Sequence, residues 1–167
     1  KTEVIISANS NKTVMEYINS GLVMKVGSDY CLRKGKKEPI FTEGSAVYGA
    51  PVKIDGDVYV PLQAILDWVD YPIFRHDDGV SFDISTENGS AFITIGQNTA
   101  SANGKTINLS AAPRLLKDAE TNVEFVVVSK DDVDVLFPGY FLTYDEMGLI
   151  AISEGEELFN RDSDLEL

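Results

Sequence analysis

Short apolar runs separated by Gly, Pro, Asn and Asp fill most of this chain, and their periods predict strands with two helices among them. Leu22, Met24 and Val26 alternate with Val23 and Lys25, as in a half-buried strand. Tyr30–Arg33 reads as a second strand, with Lys34-Gly35 as the turn after it. Thr42-Glu43-Gly44-Ser45 reads as a polar loop. Pro51–Ile54 and Val58–Val60 flank Asp55-Gly56, a hairpin signal that requires positive φ. Pro61 then pre-sets a first helical turn. Leu62, Ile65, Leu66 and Val69 share one helical face, with Trp68 at its edge, and Pro72 ends the helix. Ile73–Arg75 and Val80–Ile84 form a hairpin across His76-Asp77-Asp78-Gly79.

The same order then recurs. Val26-Gly27 and Lys34-Gly35-Lys36 are answered by Ile95-Gly96 and Asn103-Gly104-Lys105, each glycine 69 residues on. Ala112-Pro113 answers Ala50-Pro51. Val123–Val128 is a longer apolar strand that needs burial on both faces. Ser129 with Asp132 resembles a capping box, and Val133, Leu136 and Phe137 stand 68 residues after Ile65, Trp68 and Val69. Phe141–Tyr144 and Leu149–Ile152 form the last hairpin. A repeat of this kind fixes architecture before local detail does. The expectation is an α+β protein of two tandem repeats, each a small, mostly antiparallel sheet with one short helix. Residues 1–21 form an N-terminal extension, with a strand-like Thr2–Ser7 and a helix-like Val14–Asn19. The repeats occupy 22–87 and 88–153, and 154–167 is an acidic linker or tail.

Composition narrows the function classes. The 167 residues carry a net charge of −13, which opposes contact with nucleic acid or anionic membrane. No apolar run is long enough for a membrane-spanning helix, so no membrane insertion is expected. The basic residues Arg33, Lys34, Lys36 and Lys37 gather at a turn, as a solvated loop would. The single cysteine, Cys31, excludes an internal disulfide and reads as a small buried hydrophobe.

The motifs carry a resemblance. Leu22-Val23-Met24-Lys25-Val26-Gly27-Ser28, Lys34-Gly35-Lys36-Lys37, Ala50-Pro51-Val52 and Val58-Tyr59-Val60-Pro61-Leu62 resemble the copper amine oxidase N-terminal-like, or stalk, domain. That family has Asn-Gly-Lys in the loop and Val-Pro-Leu-Arg at the helix start. Here Lys34 replaces the Asn and Gln63 the Arg, and the second copy reads Val127-Val128-Ser129-Lys130 instead. The resemblance implies a secreted or cell-wall-associated protein of a Gram-positive bacterium, its signal peptide removed. It also implies a downstream domain of the same polypeptide as partner, often one that degrades polysaccharide. It does not imply copper: a site of the amine oxidase kind needs several imidazoles, and His76 is the one histidine.

Chemistry-bearing constellations are sparse. His76 beside Asp77 and Asp78 could be a base with an orienting carboxylate, but no nucleophile is near in sequence. The pairs Asp55/Asp57, Asp77/Asp78 and Asp131/Asp132 fall at turns or helix starts, where acids cap and solvate. None has the ligand spacing of a calcium loop, though a weak calcium site among them stays open. The expectation is therefore a non-catalytic module with no cofactor and no metal, acting as spacer or anchor for a neighbour. The alternatives are a carbohydrate- or cell-wall-binding module using Trp68, Tyr71, Tyr140 and Tyr144, or a fragment whose active site lies beyond residue 167.

Overall fold

The computed structural model describes residues 20–40, 42–43, 46–47, 49–87, 89–119 and 122–155. The N-terminal strand and helix read from residues 2–19 and the tail beyond Gly155 lie outside these. The chain opens with β1 (Leu22–Lys25), β2 (Tyr30–Arg33) and β3 (Lys36–Pro39), then β4 (Thr42–Glu43) and β5 (Ala46–Val47). Next come β6 (Val52–Ile54), β7 (Asp57–Pro61), helix α1 (Leu62–Val69), β8 (Ile73–Arg75) and β9 (Ser81–Thr86). The second half runs β10 (Gly89–Thr94), β11 (Thr99–Ala102), β12 (Lys105–Asn108), β13 (Arg114–Lys117) and β14 (Glu124–Ser129). A 3₁₀ turn (Lys130–Asp132), helix α2 (Val133–Leu136), β15 (Tyr140–Tyr144) and β16 (Leu149–Glu154) complete it.

These strands form antiparallel sheets with few short helices, as the alternating pattern predicts. One five-stranded sheet has the order β15-β16-β1-β2-β3, another β12-β11-β10-β9-β8. A four-stranded sheet, β13-β14-β7-β6, is the third, and β4 pairs with β5. Neither five-stranded sheet keeps to one half of the chain. The expected boundary at 87/88 falls between β9 and β10, which are hydrogen-bonded neighbours. Likewise β16 pairs with β1, so the last strand closes on the first. The physical reason is burial: Leu22 faces Ile152 and Ala91 faces Ile84 in these ladders, and all four are buried.

Two pairs of residues 68 and 69 apart meet. Val60 of β7 lies directly opposite Val128 of β14. The Tyr71 and Tyr140 hydroxyls are 3.2 Å apart. The Gly27 N–H donates to the Pro51 carbonyl at 2.8 Å, and the Gly96 N–H to the Pro113 carbonyl at 3.0 Å. The Val26-Gly27 and Ile95-Gly96 segments thus each touch an Ala-Pro segment in their own half. Lys34-Gly35, Asp55-Gly56 and Asn103-Gly104 all have positive φ at both positions, the type I′ geometry that matches strand twist. One apolar core joins the sheets to α1 and α2, with Leu22, Ile65, Ile93, Leu136 and Ile150 fully buried. Cys31 belongs to it, and burial pushes its thiol up.

Some local expectations change. Lys36–Pro39 is a strand although it has no apolar alternation, because an edge strand needs a neighbour's backbone rather than a buried face. Thr42–Glu43 and Ala46–Val47 pair where a polar loop was expected. The second helix is a 3₁₀ turn plus four residues, against eight residues in the first. Its capping box does not form. The Ser129 hydroxyl accepts from the Asp131 N–H, while Asp132 turns away to accept from the N–H groups of Ser110 at 2.6 Å and Ala111 at 3.2 Å. Asp132 is spent on holding the loop before β13 and cannot reach back. Burial pushes its carboxyl up, against the pull of those two bonds.

Candidate functional site

An apolar cleft of about 170 Å³ lies beside the edge strand β8. Pro61 and Leu62 at the start of α1, Ile73 and Phe82 form one wall; Leu115, Phe125 and Val126 form the other. This arrangement follows from β8 being short, so that its inward residues Ile73 and Arg75 border the gap between helix and neighbouring sheet. Arg75 spans the rim. Its guanidinium contacts Glu124 at 3.2 Å, donates from Nε to the Gly79 carbonyl at 2.9 Å, and lies over the Phe82 ring at 5.5 Å. Gln63 also lines the cleft, and its amide donates to Asp67 at 2.8 Å. Such a space can hold a small apolar group under an ion pair. Glu124 is the carboxylate in its lining, held by Arg75, and no Ser, Thr, Cys or His side chain is among its described lining residues.

The four aromatic residues of the carbohydrate-binding alternative are placed in two groups. Trp68, Tyr71 and Tyr140 come together where the halves meet. Trp68 is 6% exposed, donates its indole N–H to the Ser20 carbonyl at 3.0 Å and meets Tyr140 edge-on at 5.6 Å. Tyr140 is buried too, and burial, followed by its bond to Tyr71, keeps its hydroxyl protonated far above ordinary pH. The Trp68 and Tyr140 rings are buried in the core, and Tyr71 is partly buried against it. Tyr144 lies apart, half-buried, with the Lys130 ammonium over its ring at 5.5 Å.

An exposed ring occurs elsewhere. Phe74 is 60% exposed on the outer face of the sheet containing β8. Across the ladder it faces Asp83, which faces Phe92. His76 wedges edge-on between the two phenyl rings, 5.2 and 5.6 Å from their centroids, and its Nε2 is 2.6 Å from the Asp83 carboxylate. The orienting acid is thus Asp83, not Asp77 or Asp78. The signal in sequence was strand alternation, which puts Phe74, Asp83 and Phe92 on the face opposite Ile73, Ile84 and Ala91.

The paired acids work locally. Asp78 accepts from the N–H groups of Val80 and Ser81 and from the Ser81 hydroxyl, which together hold its carboxyl below the usual range. Asp57 accepts from the Val58 N–H at 2.8 Å, and Asp55 reaches Arg114 at 3.7 Å. Among the described residues no three His, Cys, Asp or Glu side chains gather as metal ligands. No described helix is long and apolar enough to cross a membrane.

The sequence model of a family described as the copper amine oxidase N-terminal domain matches residues 41–131. That stretch contains the whole cleft wall and the Phe74–His76–Asp83–Phe92 face. No curated protein and no solved structure matches the chain.

Proposed function

The chain belongs to the copper amine oxidase N-terminal domain family, and on that footing we propose that it is a non-catalytic accessory module of a larger extracellular or cell-wall-associated protein, presenting a neighbouring module at the surface. The observation that carries the reading is a family match over 41–131, in a chain where Asp55, Asp57, Asp78, Asp131 and Asp132 of the candidate pairs are engaged in turn hydrogen bonds, a loop contact or ion pairs. We also read the chain as two copies of one unit. The support is the meeting of equivalent residues at Val60/Val128 and Tyr71/Tyr140, as expected around a local two-fold axis. Because the start of β1 lies beside the end of β16, the polypeptide enters and leaves at the same end of one sheet. A module threaded this way hangs beside the line of the chain, which favours presentation or anchoring over lengthwise spacing. The test is deletion of 22–154 from the full-length protein. The surface-associated fraction should fall while the neighbour's kcat stays unchanged; loss of catalysis in a folded deletion protein overturns the reading.

A second reading, binding of cell-wall polysaccharide, is favoured by the exposed Phe74 beside Asp83 and His76. A phenyl face next to a carboxylate suits a sugar ring with its hydroxyls. Phe74→Ala should abolish pull-down on purified cell wall without changing the melting temperature. Equal retention of the variant and the parent would remove this reading.

A further inference from the structure

The edge strand β15 is built differently from the other sheet edges. Edge strands normally carry charge, proline or little length, because an open row of N–H and C=O groups invites another chain. β3 has Lys36, Lys37 and Pro39; β13 has Arg114 and Lys117; β12 has Lys105; β6 and β8 are three residues long. β15 reads Tyr-Phe-Leu-Thr-Tyr, five residues with no charge and no proline.

Its register shows which groups are open. The Gly155 N–H donates to the Gly139 carbonyl and the Asp145 N–H to the Leu149 carbonyl. In an antiparallel ladder the bonded positions alternate, so 139, 141, 143 and 145 face β16. Leu142 and Tyr144 therefore aim their N–H and C=O away from the sheet. Among the described residues nothing bonds to those four groups. Beside them runs a groove of about 310 Å³ lined by Leu142, Tyr144, Lys130, Asp131 and Asp134. An open strand edge flanking a helix groove is the geometry in which an extended peptide adds as a further strand.

Charge selects the occupant. Asp134 is exposed in the groove, and Asp145, whose carboxylate accepts from the Met147 and Leu149 N–H groups, stands just past the end of the strand. A second copy would bring the same acids together, on a chain already at −13. The groove also holds one ammonium of its own, with Lys130 over the Tyr144 ring and 2.8 Å from Asp131. We propose that the β15 edge binds an extended basic peptide as an added strand, its backbone on Leu142 and Tyr144. Alternate Lys or Arg side chains lie along the groove. Their aliphatic stems cover Leu142 and Tyr144 while their charges reach Asp134. This goes beyond the accessory-module reading and does not depend on it.

The probe is a fluorescein-labelled, end-blocked hexapeptide of alternating lysine and valine, titrated with the whole chain by anisotropy. Saturable binding is expected, with the Leu142 and Tyr144 amide resonances shifting. Methylating alternate peptide nitrogens should weaken it at least tenfold. Asp134→Lys, at an exposed position, should weaken it at least threefold. Equal affinity for the N-methylated peptide overturns the proposal, because attraction without strand pairing would then suffice. Equal affinity for a control hexapeptide of alternating glutamate and valine overturns its charge argument. A concentration-dependent dimer that the peptide dissociates assigns the edge to a second copy instead, and absence of binding at millimolar peptide removes it altogether.

Discussion

Lys34 sits at φ 53° in the turn before β3, where a side chain beyond Cβ gains nothing and pays the left-handed strain. Asn103 fills the matching turn at φ 54°. Asparagine tolerates this region, so Lys34→Asn should stabilise the fold by about 0.5–1 kcal/mol. A melting temperature that stays level or falls would refute this. Asp132 yields a pH prediction. A carboxyl raised by burial binds its proton more tightly in the folded chain than in the unfolded one. Its favourable contribution is complete below about pH 4 and is lost as pH rises through the folded value. Asp132→Asn removes that dependence. Urea titrations should show the stability difference moving in the variant's favour between pH 4 and pH 7; parallel pH profiles would count against it. At this scale the sequence disclosed the turn chemistry of Asn103-Gly104. It could not disclose that Asp132 would serve Ser110 and Ala111, since that contact exists only once two loops are packed.

Among the elements, α1 is the one most fully written in the sequence. Its apolar spacing, Pro61 before it and Pro72 after it give Leu62–Val69 directly. Asp70 closes it in a left-handed cap at φ 61°. Trp68 anchors this helix to Ser20 and Tyr140. Trp68→Ala should cost about 3–5 kcal/mol, while Trp68→Phe, which keeps most of the ring but loses the indole N–H bond, should cost about 1 kcal/mol. Denaturant midpoints of the two variants check this, and equal losses would mean the bond matters more than the packing. The edge strands β3, β12 and β13 were harder to read. Lys36-Lys37-Glu38-Pro39 has no hydrophobic face, so its strand state comes from pairing with β2 and leaves no periodic trace.

For the whole molecule, the decisive fact is that each five-stranded sheet draws on both halves of the chain. Residues 20–87 made alone keep β1 without β16 and β9 without β10. Each half is therefore expected to be largely unstructured by circular dichroism, and an equimolar mixture of 20–87 with 89–155 should recover strand signal. Independent, cooperative unfolding of either half would show that its strands can close a sheet unaided. The same sharing draws Leu22 beside Ile152, and it buries Trp68 and Tyr140 at the meeting of the halves rather than on a binding face.

The sequence by itself determined the elements, because period, turn residues and helix boundaries are local properties that short stretches of chain carry complete. It also pointed to the family, since the Val26-Gly27, Ala50-Pro51 and Val60-Pro61-Leu62 segments are motifs that local sequence carries complete. The tertiary structure alone decided which strands are neighbours, which aromatic rings are core and which strands lie at the sheet edges among the described residues. Those outcomes depend on burying apolar area between segments far apart in the chain, and no short stretch encodes where its partner will come from. Phe74 exposed and Trp68 buried are alike as letters; only the packed sheets set them apart.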